Sequence, residues 1–233
     1  MISSFQFYTF PLSWVVSVKH LIVVLTFGWA LNVAQPANAH PHTWIDLWVE
    51  VVFDQAGAIT GLREVWLFDD FYSVYATEGM DADGDGQPDK DVMAKLVREN
   101  IESLSEYEYF TKAWIGGNPV HLKPVTEMSS EMRGKRLAMI YFVPFDKPLR
   151  TDIGALTYSV YDPSYYTEML HAESQDAIKL VGAPEGCTYQ LKPAEPIEEE
   201  VALASSLAAT ETVSSDIGQF FAERVSVRCS SHG

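Results

Sequence analysis

Thr43-Trp44-Ile45-Asp46-Leu47-Trp48-Val49-Glu50-Val51-Val52-Phe53, then Asp54-Gln55-Ala56-Gly57, then the run from Ile59 to Phe68, sets the architecture of this chain. In the first run Thr43, Ile45, Leu47, Val49, Val51 and Phe53 alternate with Trp44, Asp46, Trp48 and Glu50. A period of two puts every second side chain on one face of a strand, so this segment reads as a strand with one face buried. The turn residues at 54–57 return the chain into a second strand, 59–68, and the globular part opens on an antiparallel hairpin.

Further strands are predicted at 109–115, 120–127, 136–143, 155–161, 177–181, 188–192 and 223–229. Helical spacing occurs at 71–78 and at 90–104, where Val92, Leu96, Val97, Ile101 and Leu104 share one side. Two more helices are predicted at 197–209 and 214–221, the second with Ser214 and Ser215 as caps. The expected fold class is α+β. It is mainly antiparallel β and sandwich-like, with a helix-loop-helix insertion at about 69–105 and two C-terminal helices.

The insertion carries the strongest local motif, Asp81-Ala82-Asp83-Gly84-Asp85-Gly86-Gln87-Pro88-Asp89. Three carboxylates at spacing two, a glycine at position six, a main-chain carbonyl at Gln87 and an oxygen donor at Asp89 follow the first nine positions of a calcium loop. Position twelve breaks the pattern, because Val92 stands where a bidentate glutamate belongs and Asp91 lies one place early. Two readings follow: weak calcium binding completed by another carboxylate, or a solvated turn that binds nothing.

Upstream of the hairpin, Lys19-His20 precedes an apolar run at 21–31 and a small-residue stretch ending Ala37-Asn38-Ala39, the order of a secretory signal. The run falls short of the roughly 20 residues needed to span a bilayer. An uncleaved anchor over about 10–34 would place Lys19 in hydrocarbon at a cost of about 3 kcal/mol. The expectation is a signal peptide at 1–39, a single domain at 40–233 and a periplasmic location. The earlier apolar stretch, 5–18, has no basic residue before it, which fits a start near Val16 or Val18.

Cleavage after Ala39 would make His40 the first residue of the mature chain, within His40-Pro41-His42. A free amine and two imidazoles suit zinc, copper, nickel or iron, and copper(II) in particular. In an extended segment His40 and His42 project to one face about 7 Å apart. Pro41 lacks the amide nitrogen that the simple amino-terminal copper/nickel chelate uses. The alternative is a frayed end with no ligand role. Asp162, before Pro163, and His171 are further candidates for the metal shell, set against a turn-forming aspartate and an ordinary edge histidine.

Composition narrows the partners. Thirty-two Asp and Glu against 16 Lys and Arg give a formal charge of −16. The leader holds one cation, Lys19, and no carboxylate, so the remainder is more acidic still. Such a field disfavours nucleic acid and concentrates cations. Cys187 and Cys229, an even pair in an exported chain, predict a disulfide that ties the last strand to the body. There is no Gly-x-Ser-x-Gly, no His-Glu-x-x-His and no phosphate loop.

The segments His40-Pro41-His42-Thr43-Trp44-Ile45-Asp46, Glu78 to Gly86, Glu106-Tyr107-Glu108-Tyr109-Phe110, Tyr161-Asp162-Pro163-Ser164-Tyr165-Tyr166, Gly182 to Cys187 and Phe220 to Cys229 together resemble an uncharacterised bacterial family. That family is labelled as a periplasmic component of an ABC-type transport system. The resemblance spans nearly the whole mature chain. It implies a periplasmic protein in the company of nickel, cobalt or zinc transport, with an inner-membrane transporter as partner. The calcium-type loop of that family often ends in glutamate, which this chain lacks. The leading expectation is a metal-binding accessory protein that holds a divalent transition metal (zinc, nickel, cobalt or copper) through His40 and His42 and is not an enzyme. A copper histidine-brace enzyme and a calcium-stabilised interaction module are the competing classes.

Overall fold

The structure, a computed structural model, describes residues 41–207 and 216–230. The opening hairpin forms as its alternation requires: β1 is Thr43–Phe53 and β2 is Ile59–Phe68, paired antiparallel with Leu47 opposite Trp66 and Val51 opposite Leu62. Inward positions are buried along both strands, and outward ones are half-buried except Trp44, which is exposed. Asp54 holds the turn by accepting the N–H groups of Ala56 and Ala58 on Oδ1, both at 2.9 Å.

Helix α1, Asp70–Thr77, and helix α2, Lys90–Leu104, follow, then a short 3-10 turn at Ser105–Phe110. The remaining strands are β3 Thr111–Ile115, β4 Asn118–Pro119, β5 Met128–Arg133, β6 Arg136–Leu149, β7 Leu156–Val160, β8 Thr167–His171, β9 Ile178–Val181, β10 Cys187–Lys192 and β11 Arg224–Cys229, with α3, Glu198–Ser206, before the last. They form two sheets. One has the order β5-β6-β2-β1-β8, with β9 also on β1; the other runs β10-β11-β7-β3-β4 and is antiparallel throughout. In the first sheet only β8 and β9 run parallel to β1, sharing its free edge in succession. The class is mixed α and β with two antiparallel-rich sheets, as the alternation and turn signals imply.

One apolar core joins the two sheets. It contains Leu47, Val51, Leu62 and Tyr141 from the first, and Leu156, Tyr158 and Val225 from the second. Met93, Val97 and Ile101 of α2, at spacing four, bury one face of that helix in the same core. A smaller cluster of Tyr165, Ala204, Leu207 and Ile217 lies under α3. Among the described residues no helix is long and apolar enough to cross a membrane.

Four expectations change. Residues 120–127 form no strand beyond one bridge, Leu122 to Phe145. Pro124 has no N–H for a ladder, and the neighbouring amides are spent on three separate partners, Ala113, Pro144 and the Tyr109 hydroxyl. The strand at 128–133 instead pairs with β6 although its sequence, Met-Ser-Ser-Glu-Met-Arg, has no β-branched residue. β8 is likewise not expected from the sequence, because Thr-Glu-Met-Leu-His has no alternation of apolar and polar residues. Of the two C-terminal helices, 197–209 forms as Glu198–Ser206, with 208–209 outside the described residues. Over 214–221 there is only a 3-10 turn, Ile217–Phe220, with Ser214 and Ser215 outside them. A Cβ on Gly218 would lie 1.9 Å from the Asp162 carbonyl oxygen, and the Gly218 N–H donates to Pro163 O at 3.0 Å, so packing fixes this turn.

Candidate metal-binding sites

The loop between α1 and α2 is organised by its own carboxylates. Asp81 accepts three main-chain N–H groups: Gly84 (2.8 Å) and Asp85 (3.1 Å) on Oδ1, and Gly86 (2.9 Å) on Oδ2. Asp83 Oδ1 accepts from Asp85 N at 3.1 Å, and Asp85 Oδ1 from Gln87 N at 2.8 Å. Asp89 closes the loop by accepting Ala82 N at 3.2 Å, while its own N–H donates to Met80 O at 2.7 Å. Gly86, at φ +86°, makes the sharp turn of position six, a conformation that an L side chain resists. Asp81, Asp83 and Asp85 are exposed, with one oxygen from each lying within 4.8 Å of the others. Among the described residues this is where three His, Cys, Asp or Glu ligand atoms converge.

Oxygen donors alone suit a hard cation such as calcium. The set ends one bidentate carboxylate short. Val92 occupies the first turn of α2 and is exposed, and Asp91 is rotated from it by about 100° around the helix. A cation at this turn would therefore meet an open, incompletely closed set of oxygen donors.

His40 lies outside the described residues. His42 is held at the entrance to β1: its N–H donates to Tyr166 O at 2.8 Å and its ring stacks on Tyr166 at 4.9 Å. The same end of the sheet gathers Asp69 and Tyr72, which the sequence reading did not single out. Asp69 accepts Trp44 N on Oδ2 (3.0 Å) and Tyr72 N on Oδ1 (2.9 Å), so one carboxylate caps α1 and anchors β1. Burial pushes the Tyr72 hydroxyl pKa up, helped by Tyr75, Asp69 and Tyr166 nearby. An aspartate ahead of a helical run was the available signal for the cap.

Asp162 and His171 turn away from such a site. Asp162 Oδ1 accepts Ser164 N (2.8 Å) and Ser164 Oγ (2.7 Å), and Oδ2 accepts Thr167 N (3.0 Å). Both oxygens organise the turn into β8, the alternative that its place before Pro163 allows. His171 pairs with Leu47 in the parallel register, four residues beyond the Thr43 and Thr167 pair, about 13 Å along the strand. Its Nδ1 and main-chain N–H both meet Glu223 Oε2, at 2.8 and 2.6 Å, and Nε2 faces the Tyr158 hydroxyl at 3.4 Å. The structure does not bring His171 to His42.

A family model described as a protein of unknown function (DUF1007) matches residues 25–229. The chain belongs to the DUF1007 family. No curated protein and no solved structure matches it. The match agrees with the resemblance to an uncharacterised family. The disulfide of this DUF1007 chain joins Cys187 to Cys229, which face each other across β10 and β11.

Proposed function

We propose that this protein is a divalent-cation-binding accessory protein of the periplasm, working beside an inner-membrane metal transporter. The observation that carries the reading is the Asp81 loop. Its three carboxylates converge while their hydrogen bonds to main-chain N–H groups fix the turn, so little ordering remains to be done when calcium arrives. The acidic balance of the chain raises the local cation concentration, and a sandwich-like body of two sheets would carry the loop at its surface.

A second reading has its own support. The stacking of His42 on Tyr166 and its main-chain bond to the start of β8 favour a held histidine over a frayed end, so His40 and His42 remain the proposed ligands for zinc, nickel, cobalt or copper. Mass-spectrometric metal analysis of the mature protein, joined to calcium calorimetry, tests both. Asp81→Ala is expected to abolish calcium uptake, and the His40→Ala/His42→Ala double variant to lose the transition metal. Calcium affinity unchanged in Asp81→Ala would sink the first reading. A transition metal retained by the double variant would sink the second.

A further inference from the structure

We propose that the groove between α2 and the edge strand β5 receives an extended apolar segment of another polypeptide, which adds to the first sheet as a further strand. The groove is of about 1070 Å³ and runs beside α2 and the 124–132 segment. Its floor is apolar, with Val97, Ile101, Val125, Met128 and Met132. Methionine side chains are flexible and polarizable, and adapt to varied apolar partners.

The strand wall determines the class of occupant. β5 ends the order β5-β6-β2-β1-β8, so among the described residues one side of its main chain has no strand neighbour. Register fixes which groups face outward. Arg133 pairs with Arg136 across a two-residue turn, and Glu127 O accepts Phe142 N at 3.0 Å in the same register. The odd-numbered residues 127–133 therefore bond to β6, and the N–H and C=O groups of Met128, Ser130 and Met132 point to the open edge. The inner side of β5 is tied down, since Ser130 Oγ donates to Met93 O of α2 at 2.9 Å. What remains is a row of peptide groups repeating at about 6.8 Å, which another extended main chain satisfies and a compact small molecule does not.

The opposite wall sets the charge. Lys90, Ala94, Arg98 and Glu102, spaced by four, line the groove along one face of α2. Among the described residues Lys90 and Arg98 have no carboxylate partner, whereas Glu131 on the strand side is engaged by Arg133 at 2.7 Å. With Lys90 and Arg98 against the one carboxylate of Glu102, this wall keeps a net positive charge in a chain of net charge −16, so the segment that fits is apolar with an acidic residue at its end, placed toward Lys90 and Arg98.

The test uses the mature protein and the labelled peptide Asp-Val-Thr-Val-Thr-Val, followed by fluorescence anisotropy and by amide hydrogen exchange. Binding is expected to protect the Met128, Ser130 and Met132 amides. Ser130→Pro removes an outward N–H and no ladder bond, and is expected to weaken binding about tenfold or more. Ser130→Ala, which loses the bond to Met93 O but keeps the outward N–H, is expected to bind more tightly than Ser130→Pro. Ala94→Trp, which fills the groove from the helix side, is expected to abolish binding even if the proline variant does not fold. Absence of peptide-dependent protection at these three amides, or binding that survives Ala94→Trp, overturns the proposal.

Discussion

Glu64 is a carboxylate buried at an energetic cost. It sits fully buried on β2, where its carboxylate accepts Trp66 Nε1 (2.9 Å), Thr111 Oγ1 (2.8 Å) and the Tyr141 hydroxyl (3.1 Å), joining the first sheet to the second. Burial raises its pKa from 4.5 to about 7, against the lowering effect of those three bonds. The folded state thus holds the proton more tightly than the unfolded chain. The stability this gives is fully present below about pH 4.5 and is lost as pH rises through about 7. Chemical denaturation of the wild type is expected to show a fall on the order of 3 kcal/mol across that window. Glu64→Gln, which keeps hydrogen-bonding groups for all three partners, is expected to flatten it, while Glu64→Leu strands the three donors and costs several kcal/mol at any pH. The sequence carried the clue, because Glu64 shares the inward parity of Leu62, Trp66 and Phe68. The identity of the donors was not legible, since Thr111 and Tyr141 reach it only through tertiary pairing. His171 shows the same limit. Its partners lie 13 and 52 residues away, and His171→Ala is expected to lower thermal stability without changing metal content.

At the scale of elements, the legible parts were those whose own residues settle them. β1 and β2 alternate without interruption, and α2 has an apolar face at helical spacing, so both strands and the helix have the ends their patterns predict. β5 and β8 owe their conformation to neighbours, β5 to the hairpin with β6 and β8 to the free edge of β1. The tight turn at 81–89 was readable from its aspartate and glycine spacing, and the network centred on Asp81 repeats that spacing in hydrogen bonds. The cap at Asp69 permits a separate prediction. Asp69→Ala removes acceptors from the N–H groups of Tyr72 and Trp44 together, and is expected to cost about 1–2 kcal/mol in urea unfolding. Loss of helicity confined to α1, without a shift in the global transition, would show that the link to β1 contributes nothing.

Over the whole molecule, two sheets share one core, and the cysteine pair closes a loop of sequence separation 42 at the outer strand of the second sheet. The loop-entropy model assigns such a bridge roughly 3 to 4 kcal/mol. Reduction is expected to lower the unfolding temperature and to open β10 to protease before any other strand of that sheet; simultaneous cleavage in β7 would show that the bridge supports the entire sheet. The placement of β1 also governs the order in which the fold can be completed. A nascent chain emerges N-terminus first, and β1 finds β2 almost at once, but its second edge has no partner from residue 53 until residue 167 has been made. Through that interval the strand at the heart of the larger sheet is an open template. Pairing at so long a sequence distance is slow, and exposed strand edges invite aggregation. The larger sheet is therefore completed only once residues 167–181, in the last third of the chain, have been made.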